Sequence, residues 1–278
     1  MSPDSLYRLS AFTTDPNGGN PAGVWLGNVL LRPEEMGAIA ADVGFSETAF
    51  VAPLGGNQWK IRYYSPEMEV PFCGHATIAT GVLLGELQGE GNYELETQVG
   101  WVPVAVKACE GGYEASLTSV EPQQAIAEPE LVTAVLAALG WGRGDLDGAI
   151  EPMLAYGGSW HLVLAAATRG RLDDLDYDFE ALKAVMLGAG LLTVQLVWRE
   201  SERVFHSRNP FPVGGVIEDP ATGSAAAALG GYLRSAKLIP VPGRFEIRQG
   251  LVMGRPSWIG VEVPIAGGIV VTGRAVRI

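Results

Sequence analysis

Few side chains in this sequence are equipped to move a proton near neutral pH. Its 278 residues include three histidines, His75, His161 and His206, and two cysteines, Cys73 and Cys109. Cys73 and His75 stand together in Cys73-Gly74-His75, at the head of a small, apolar run to Leu84. A second polar group, Glu218-Asp219-Pro220-Ala221-Thr222-Gly223-Ser224, precedes another apolar run, Ala225 to Leu233. Pro220 keeps Asp219 out of helical geometry, while Thr222, Gly223 and Ser224 suit a helix start whose N–H groups face a ligand. Neither run has a polar face, so each reads as a helix inside a core. The second stretch predicts a buried helix with its positive end open to a pocket and Asp219 at the lip. The competing reading is a capped core helix after an acidic turn.

Composition narrows the chemistry further. A formal charge of -12 disfavours nucleic acid and anionic membrane surfaces as partners. With 47% hydrophobic and 18% charged residues, the chain can fill sizeable cores, and its length suits two domains. No basic segment precedes an apolar stretch and no run is long enough to span a bilayer, so a cytoplasmic protein is expected. Two cysteines are too few for a disulfide framework and fit a reducing compartment. The three histidines show no metal-ligand spacing, and no metal is expected. Thr222-Gly223-Ser224 lacks the Gly-Lys-Ser/Thr of a nucleotide loop, and no Gly-x-Gly-x-x-Gly opens a strand-to-helix turn. No cofactor is expected.

The elements that must position these groups repeat. Strands are read at Leu6 to Phe12, Val24 to Leu26, Ala49 to Ala52 and Trp59 to Tyr64, with a helix between Pro33 and Gly44. The helix from His75 to Leu84 follows, then alternating strands at Tyr93 to Glu96, Val102 to Ala108 and Tyr113 to Leu117. After a helix at Pro129 to Leu139, the second half gives strands near Met153 and His161 to Ala165, and a helix at Phe179 to Leu187. Strands at Leu192 to Trp198 and Arg203 to His206 lead to the Ala-rich helix. Strands at Phe245 to Ile247, Gly260 to Val263 and Ile269 to Arg277 end the chain. Each half reads β-β-α-β-β-α-β-β-β, which suggests two related domains facing one another. Glu121 to Glu128 is polar enough to be the linker. If the domains face one another, Cys73-Gly74-His75 opposes Ala221 to Ser224 across a small ligand, a carboxylate site without lysine or arginine.

At these residues the chain resembles the phenazine-biosynthesis isomerase (PhzF-like) family, which shares the diaminopimelate-epimerase fold. The matching blocks are G-N-P-A-G-V at Gly19 to Val24, G-F-S-E-T-A-F at Gly44 to Phe50 and V-P-F-C-G-H-A-T at Val70 to Thr77. E-D-P-A-T-G-S-A at Glu218 to Ala225 and Q-G-x-x-M-G-R-P-S at Gln249 to Ser257 complete the set. Between Phe205 and Glu218 the chain carries a longer segment, H-S-R-N-P-F-P-V-G-G-V-I, than the family pattern.

The resemblance implies an α+β fold of two similar domains, each a mixed or antiparallel sheet wrapped around a central helix, with the active site between them. The domains would span 1–118 and 119–267, with the strand near 268–278 returning to the first, and members commonly form homodimers. It implies cofactor-free proton movement on a small, cyclic carboxylate substrate, with an amino-acid epimerase or a non-catalytic binding protein as alternatives. Carried over by motif, Glu47 in F-S-E-T is the acid and base, and His75 and Asp219 assist it. Gly74, Gly223 and Ser224 are substrate-binding candidates. Asn20, Pro21 and Gly23 read first as a tight turn, with Asn20 also a candidate for substrate contact. Without the resemblance, Glu47 reads as a solvent-facing strand residue, His75 as a cap or a satisfied buried histidine and Asp219 as a turn carboxylate. His161, His206 and Cys109 read as structural. Relatives that invert a stereocentre use two thiols; here Cys73 matches one position and Thr222 stands at the other.

Overall fold

The computed structural model describes residues 5–278, which form two compact units. One holds the chain up to Thr118 together with Thr272–Ile278, and the other holds Ser119–Val271.

The first unit runs β1 (Ser5–Ala11), β2 (Asn20–Leu26), α1 (Pro33–Val43), β3 (Glu47–Gly55), β4 (Gln58–Tyr64), β5 (Glu69–Val70), α2 (Gly74–Gln88), β6 (Gly91–Thr97), β7 (Gly100–Cys109) and β8 (Gly112–Thr118). α1 begins with Pro33 at its first position and Glu34 and Glu35 in its first turn, where the helix dipole favours acids. Gly44 ends it at φ 70°, donating its N–H to Ala40 O at 3.1 Å. The chain is thereby returned to the sheet at Glu47. β2 and β3 pair in parallel, with Ala22 opposite Glu47 and Gly23 opposite Thr48. A Cβ on Gly23 would lie 2.6 Å from Thr48 Oγ1. Gly23 is required by close packing inside β2, and Asn20 and Pro21 are strand residues too. The tight turn expected there lies just upstream, where Asp15 Oδ1 accepts from the Asn17 N–H at 2.9 Å.

α2 is buried on every side from His75 to Gly85, as its lack of a polar face requires. It packs against β1, β2, β3, β7 and β8 of the same unit. Gly81 and Gly85 let it approach the wall: a Cβ on Gly81 would meet Ala115 Cβ at 2.7 Å and Val104 Cγ1 at 2.8 Å. The end of the chain completes that wall, with Leu9 opposite Arg277 and Ala11 opposite Ala275.

The second unit runs β9 (Gln123–Ile126), α3 (Pro129–Ala138), β10 (Met153–Tyr156), β11 (Trp160–Ala165), α4 (Arg169–Asp173), α5 (Phe179–Ala189), β12 (Thr193–Ser201), β13 (Val204–Arg208), β14 (Pro210–Phe211), β15 (Val216–Glu218), α6 (Gly223–Ser235), β16 (Gly243–Gln249), β17 (Ser257–Val263) and β18 (Val270–Arg277), whose residues from Thr272 belong to the first unit. Its sheet is mixed, β11 with β12 and β13 with β16 being the parallel pairs. α3 and α5 cover one face, where Val132, Leu136, Leu182 and Met186 pack on Leu162, Leu164, Val194 and Leu196. Strand alternation turns His161, Thr193 and Gln195 away from that layer. α6 packs against β9, β10, β11 and β17 and is buried from Ala225 to Leu233.

Two expectations are corrected here. The proposed linker, Glu121 to Glu128, contains β9, whose backbone pairs with β10 although its side chains are exposed. Polarity marked an exposed edge strand, because a strand at a sheet edge is satisfied by hydrogen bonds on one side alone. The second half also carries α4 and the β14–β15 hairpin beyond the simple repeat. Among the described residues, no helix is long and apolar enough to cross a membrane.

Candidate active site

In the first unit four elements bring polar side chains to the start of α2. Cys73 is the N-cap residue, in extended geometry, and its side chain makes no capping bond. Its carbonyl is held instead: Thr77 Oγ1 donates to Cys73 O at 2.6 Å and is 2.7 Å from the Tyr63 hydroxyl. Because Thr77 spends its proton on the carbonyl, Tyr63 is the donor in that second bond. Full burial pushes the Tyr63 phenol well above its ordinary pKa, so it keeps the proton this chain needs.

His75, the second residue of α2, is buried and meets side chains from β2 and from the start of β3. Asn20 Nδ2, at the head of β2, lies 3.3 Å from His75 Nδ1. With Asn20 donating, Nδ1 is the acceptor and the ring proton sits on Nε2. That nitrogen is 3.4 Å from Ser46 Oγ and 3.4 Å from Glu47 Oε2. Cys73 Sγ is 3.3 Å from Nδ1 and 3.8 Å from Nε2. The Glu47 side chain is 18% exposed against 7% for His75, so the carboxylate is the member that reaches solvent. Glu47 is placed there because Gly44 stops α1 and the parallel register sets Glu47 beside Ala22.

In the second unit the two adjacent carboxylates have separate partners. Glu218 is buried and takes both ends of the Arg208 guanidinium, Nε to Oε1 at 2.9 Å and Nη2 to Oε2. Arg208 also donates to Asp173 O at 2.7 Å. This bidentate pair ties the β14–β15 hairpin to the sheet. Asp219, half-buried, accepts from Thr222 Oγ1 at 2.6 Å, and Gln249 Nε2 donates to Asp219 O at 2.7 Å and to Thr222 Oγ1 at 3.0 Å. Thr222 occupies the N-cap of α6 but makes no side-chain cap, contrary to the expectation, because its hydroxyl serves Asp219. Gly223 and Ser224 follow as the first two residues of α6.

Behind this turn lies a buried polar chain. His161 Nδ1 is 2.7 Å from Thr193 Oγ1, which donates to Asn209 Oδ1 at 3.0 Å, and the Asp219 N–H donates to Asn209 O at 3.0 Å. Thr193 uses its one proton on Asn209, so His161 Nδ1 carries a hydrogen. Complete burial pushes the His161 pKa down to about 3, and the ring stays neutral. His206 is tied to Arg169 at 2.8 Å and Glu200 at 2.5 Å. Both histidines have structural partners, as their strand positions indicated.

Of the residues singled out from the sequence, Asn20, Glu47, Gly74 and His75 come together in the first unit, and Asp219, Gly223 and Ser224 in the second. Sequence reasoning gave no role to Ser46 or Gln249. Both lay inside quoted blocks, G-F-S-E-T-A-F and Q-G-x-x-M-G-R-P-S, so the signal was present. Among the described residues, Glu47, Cys73 and His75 form a group whose ligand atoms all lie within 4.8 Å of one another.

The family model for phenazine biosynthesis-like proteins, PhzC-PhzF, matches residues 9–278. The chain belongs to the PhzF family. Among its relatives, the trans-2,3-dihydro-3-hydroxyanthranilate isomerase of Pseudomonas aeruginosa is 33% identical over 269 residues, covering 93% of this chain and 90% of that protein. An uncharacterized isomerase of Deinococcus radiodurans is 33% identical over 269 residues, covering 94% and 87%. The crystal structure of a PhzF-family phenazine biosynthesis protein from Bacillus anthracis superposes with a TM-score of 0.86 at 26% identity, covering 100% of this chain and 98% of that one. A probable proline racemase from Agrobacterium radiobacter, at 15% identity and a TM-score of 0.68, shares the fold. This PhzF-family protein is an isomerase, as its relatives are named.

Proposed function

We propose that this PhzF-family isomerase moves a proton between carbons of a small carboxylate substrate, with Glu47 as both base and acid and no cofactor. The observation that carries this reading is the largely buried but still solvent-reaching Glu47 carboxylate, 3.4 Å from a histidine whose proton is directed to it by Asn20. A group that takes a proton from one carbon and returns it to another must meet substrate while staying shielded from bulk water, and partial burial meets both demands. In the resting enzyme His75 Nε2–H faces the carboxylate. During proton transfer it stabilises the charged form and holds the oxygens in place, a role that needs no change in its own protonation. Asp219 is the proposed assisting carboxylate, fixed by Thr222 and Gln249. Asn20, Gly74, Gly223 and Ser224 are the proposed substrate contacts, the last two through the first-turn amides of α6.

Inversion by two thiols, the epimerase reading, is disfavoured by Thr222. Its hydroxyl replaces the second thiol and already donates to Asp219 at 2.6 Å. An alcohol is a far weaker acid than a thiol of pKa about 8.5. The test is incubation with small cyclic carboxylates and amino acids in heavy water. Deuterium entering a ring carbon supports the proposal, inversion at an α-carbon would replace it with epimerisation, and tight binding without exchange would make the protein a binding module.

A further inference from the structure

We propose that Gln249 is a positioning residue for the reaction: it fixes the direction in which the Thr222 hydroxyl points, and so holds Asp219 as a hydrogen-bonded carboxylate in one place. The proposal rests on the assisting role given above to Asp219; the bonding it starts from does not. Gln249 is the buried last residue of β16, opposite Ser207 of the neighbouring β13. Its Nε2 donates to Asp219 O at 2.7 Å and to Thr222 Oγ1 at 3.0 Å, and its Oε1 accepts from the Thr222 N–H at 3.3 Å. A carbonyl only accepts and an N–H only donates, so the amide has a single workable orientation. Both of its hydrogens are then committed.

That orientation decides the next bond. Thr222 has one hydroxyl proton, and its oxygen already receives a hydrogen from Gln249, so the proton goes to Asp219 Oδ2, 2.6 Å away. Asp219 is thereby held at three groups: its N–H by Asn209 O at 3.0 Å, its carbonyl by Gln249 and a carboxylate oxygen by Thr222. The backbone bonds come from the ends of two paired strands, β13 and β16. The chain beyond Gln249 closes on the same turn, where a Cβ on Gly250 would lie 2.9 Å from Pro220 O. A buried polar network with every member satisfied rigidifies what it holds. An assisting carboxylate needs that rigidity, because a misplacement of about 1 Å can cost about a hundredfold in rate. Gln249 acts through Asp219 and takes no chemical step itself.

The experiment has a spectroscopic arm and a kinetic arm, both on the full-length chain. With aspartate carboxyls isotope-labelled for NMR, the Asp219 signal is assigned by its loss in Asp219→Asn. In mixed light and heavy water it should carry an isotope shift from the Thr222 hydroxyl, which Thr222→Val removes and Thr222→Ser keeps. Gln249→Glu preserves the size of the side chain, but above neutral pH it cannot donate and offers the hydroxyl a second carboxylate, so the shift should fall by about half or more. No shift in the wild type, or an undiminished one in a folded Gln249→Glu chain, would overturn the orientation. With a turned-over substrate, Gln249→Met, which carries no charge into the site, should lower kcat by about tenfold or more and leave KM within about threefold. Thr222→Val should lose a similar factor and Thr222→Ser recover most of it. The double variant Gln249→Met with Thr222→Val should lose little more than the worse single one, since both act on one carboxylate. Unchanged kcat in Gln249→Met, or losses that multiply, would overturn the positioning role. Undiminished exchange in Asp219→Asn would instead remove Asp219 from the reaction, a failure of the proton-transfer reading that the substrate-free spectra tell apart from a failure of the orientation.

Discussion

Glu47 Oε2 lies 3.4 Å from His75 Nε2, and the two residues reach that distance from different elements. Glu47 opens β3 just beyond the Gly44 stop, after Phe45 and Ser46, and His75 is the second residue of a helix buried on every side. The contact is therefore a property of the whole first unit: a shift of α2 within its sheet, or of β3 against β2, would separate the pair.

Cys73 also touches His75, at 3.3 Å from Nδ1, yet the proton-transfer account gives its thiol no chemical step. Cys73→Ala should fold and retain turnover, with a loss of about tenfold from altered packing beside His75. Steady-state exchange rates check this. Exchange abolished in a well-folded Cys73→Ala chain would reassign the chemistry to sulfur.

Glu218→Ala should destabilise the protein by about 3–5 kcal/mol, because it leaves the Arg208 guanidinium buried without its partner. Urea denaturation gives the difference. A cost below about 1 kcal/mol would mean that the pair behaves as an exposed one does.

His161 predicts a pH dependence of stability. Its folded pKa is near 3 against an ordinary 6.5, so below pH 6.5 the unfolded chain takes up a proton that the folded one refuses. Stability should fall with decreasing pH across that window, by up to about 1.4 kcal/mol per pH unit from this residue. Replacing it by a neutral donor, His161→Asn, should flatten that part of the profile. Parallel acid limbs for the two proteins would contradict the assignment.

Much of this was legible in the sequence, for a physical reason in each case. The two core helices announced themselves because a helix without a polar face has to be buried, and Gly44 marked where β3 could begin. The blocks containing Glu47, His75 and Asp219 carried the family. Less legible were the pairings among polar groups. Whether Thr222 caps α6 or serves Asp219 depends on Gln249 arriving from β16, and Glu218 and Asp219 look alike in sequence until Arg208 claims one. The exposed strand β9 read as a linker because its side chains are all exposed while its backbone is paired. Long-range partners decide such cases, and local pattern does not record them.

The central claim, that Glu47 carries the proton, is tested most directly by Glu47→Gln. The amide keeps the size of the side chain and removes its capacity to exchange a proton, so folding and ligand binding should persist. Deuterium incorporation into a turned-over carboxylate substrate should drop by about two to four orders of magnitude. Incorporation within a few-fold of wild type, in a variant that still binds substrate, would remove Glu47 from the mechanism.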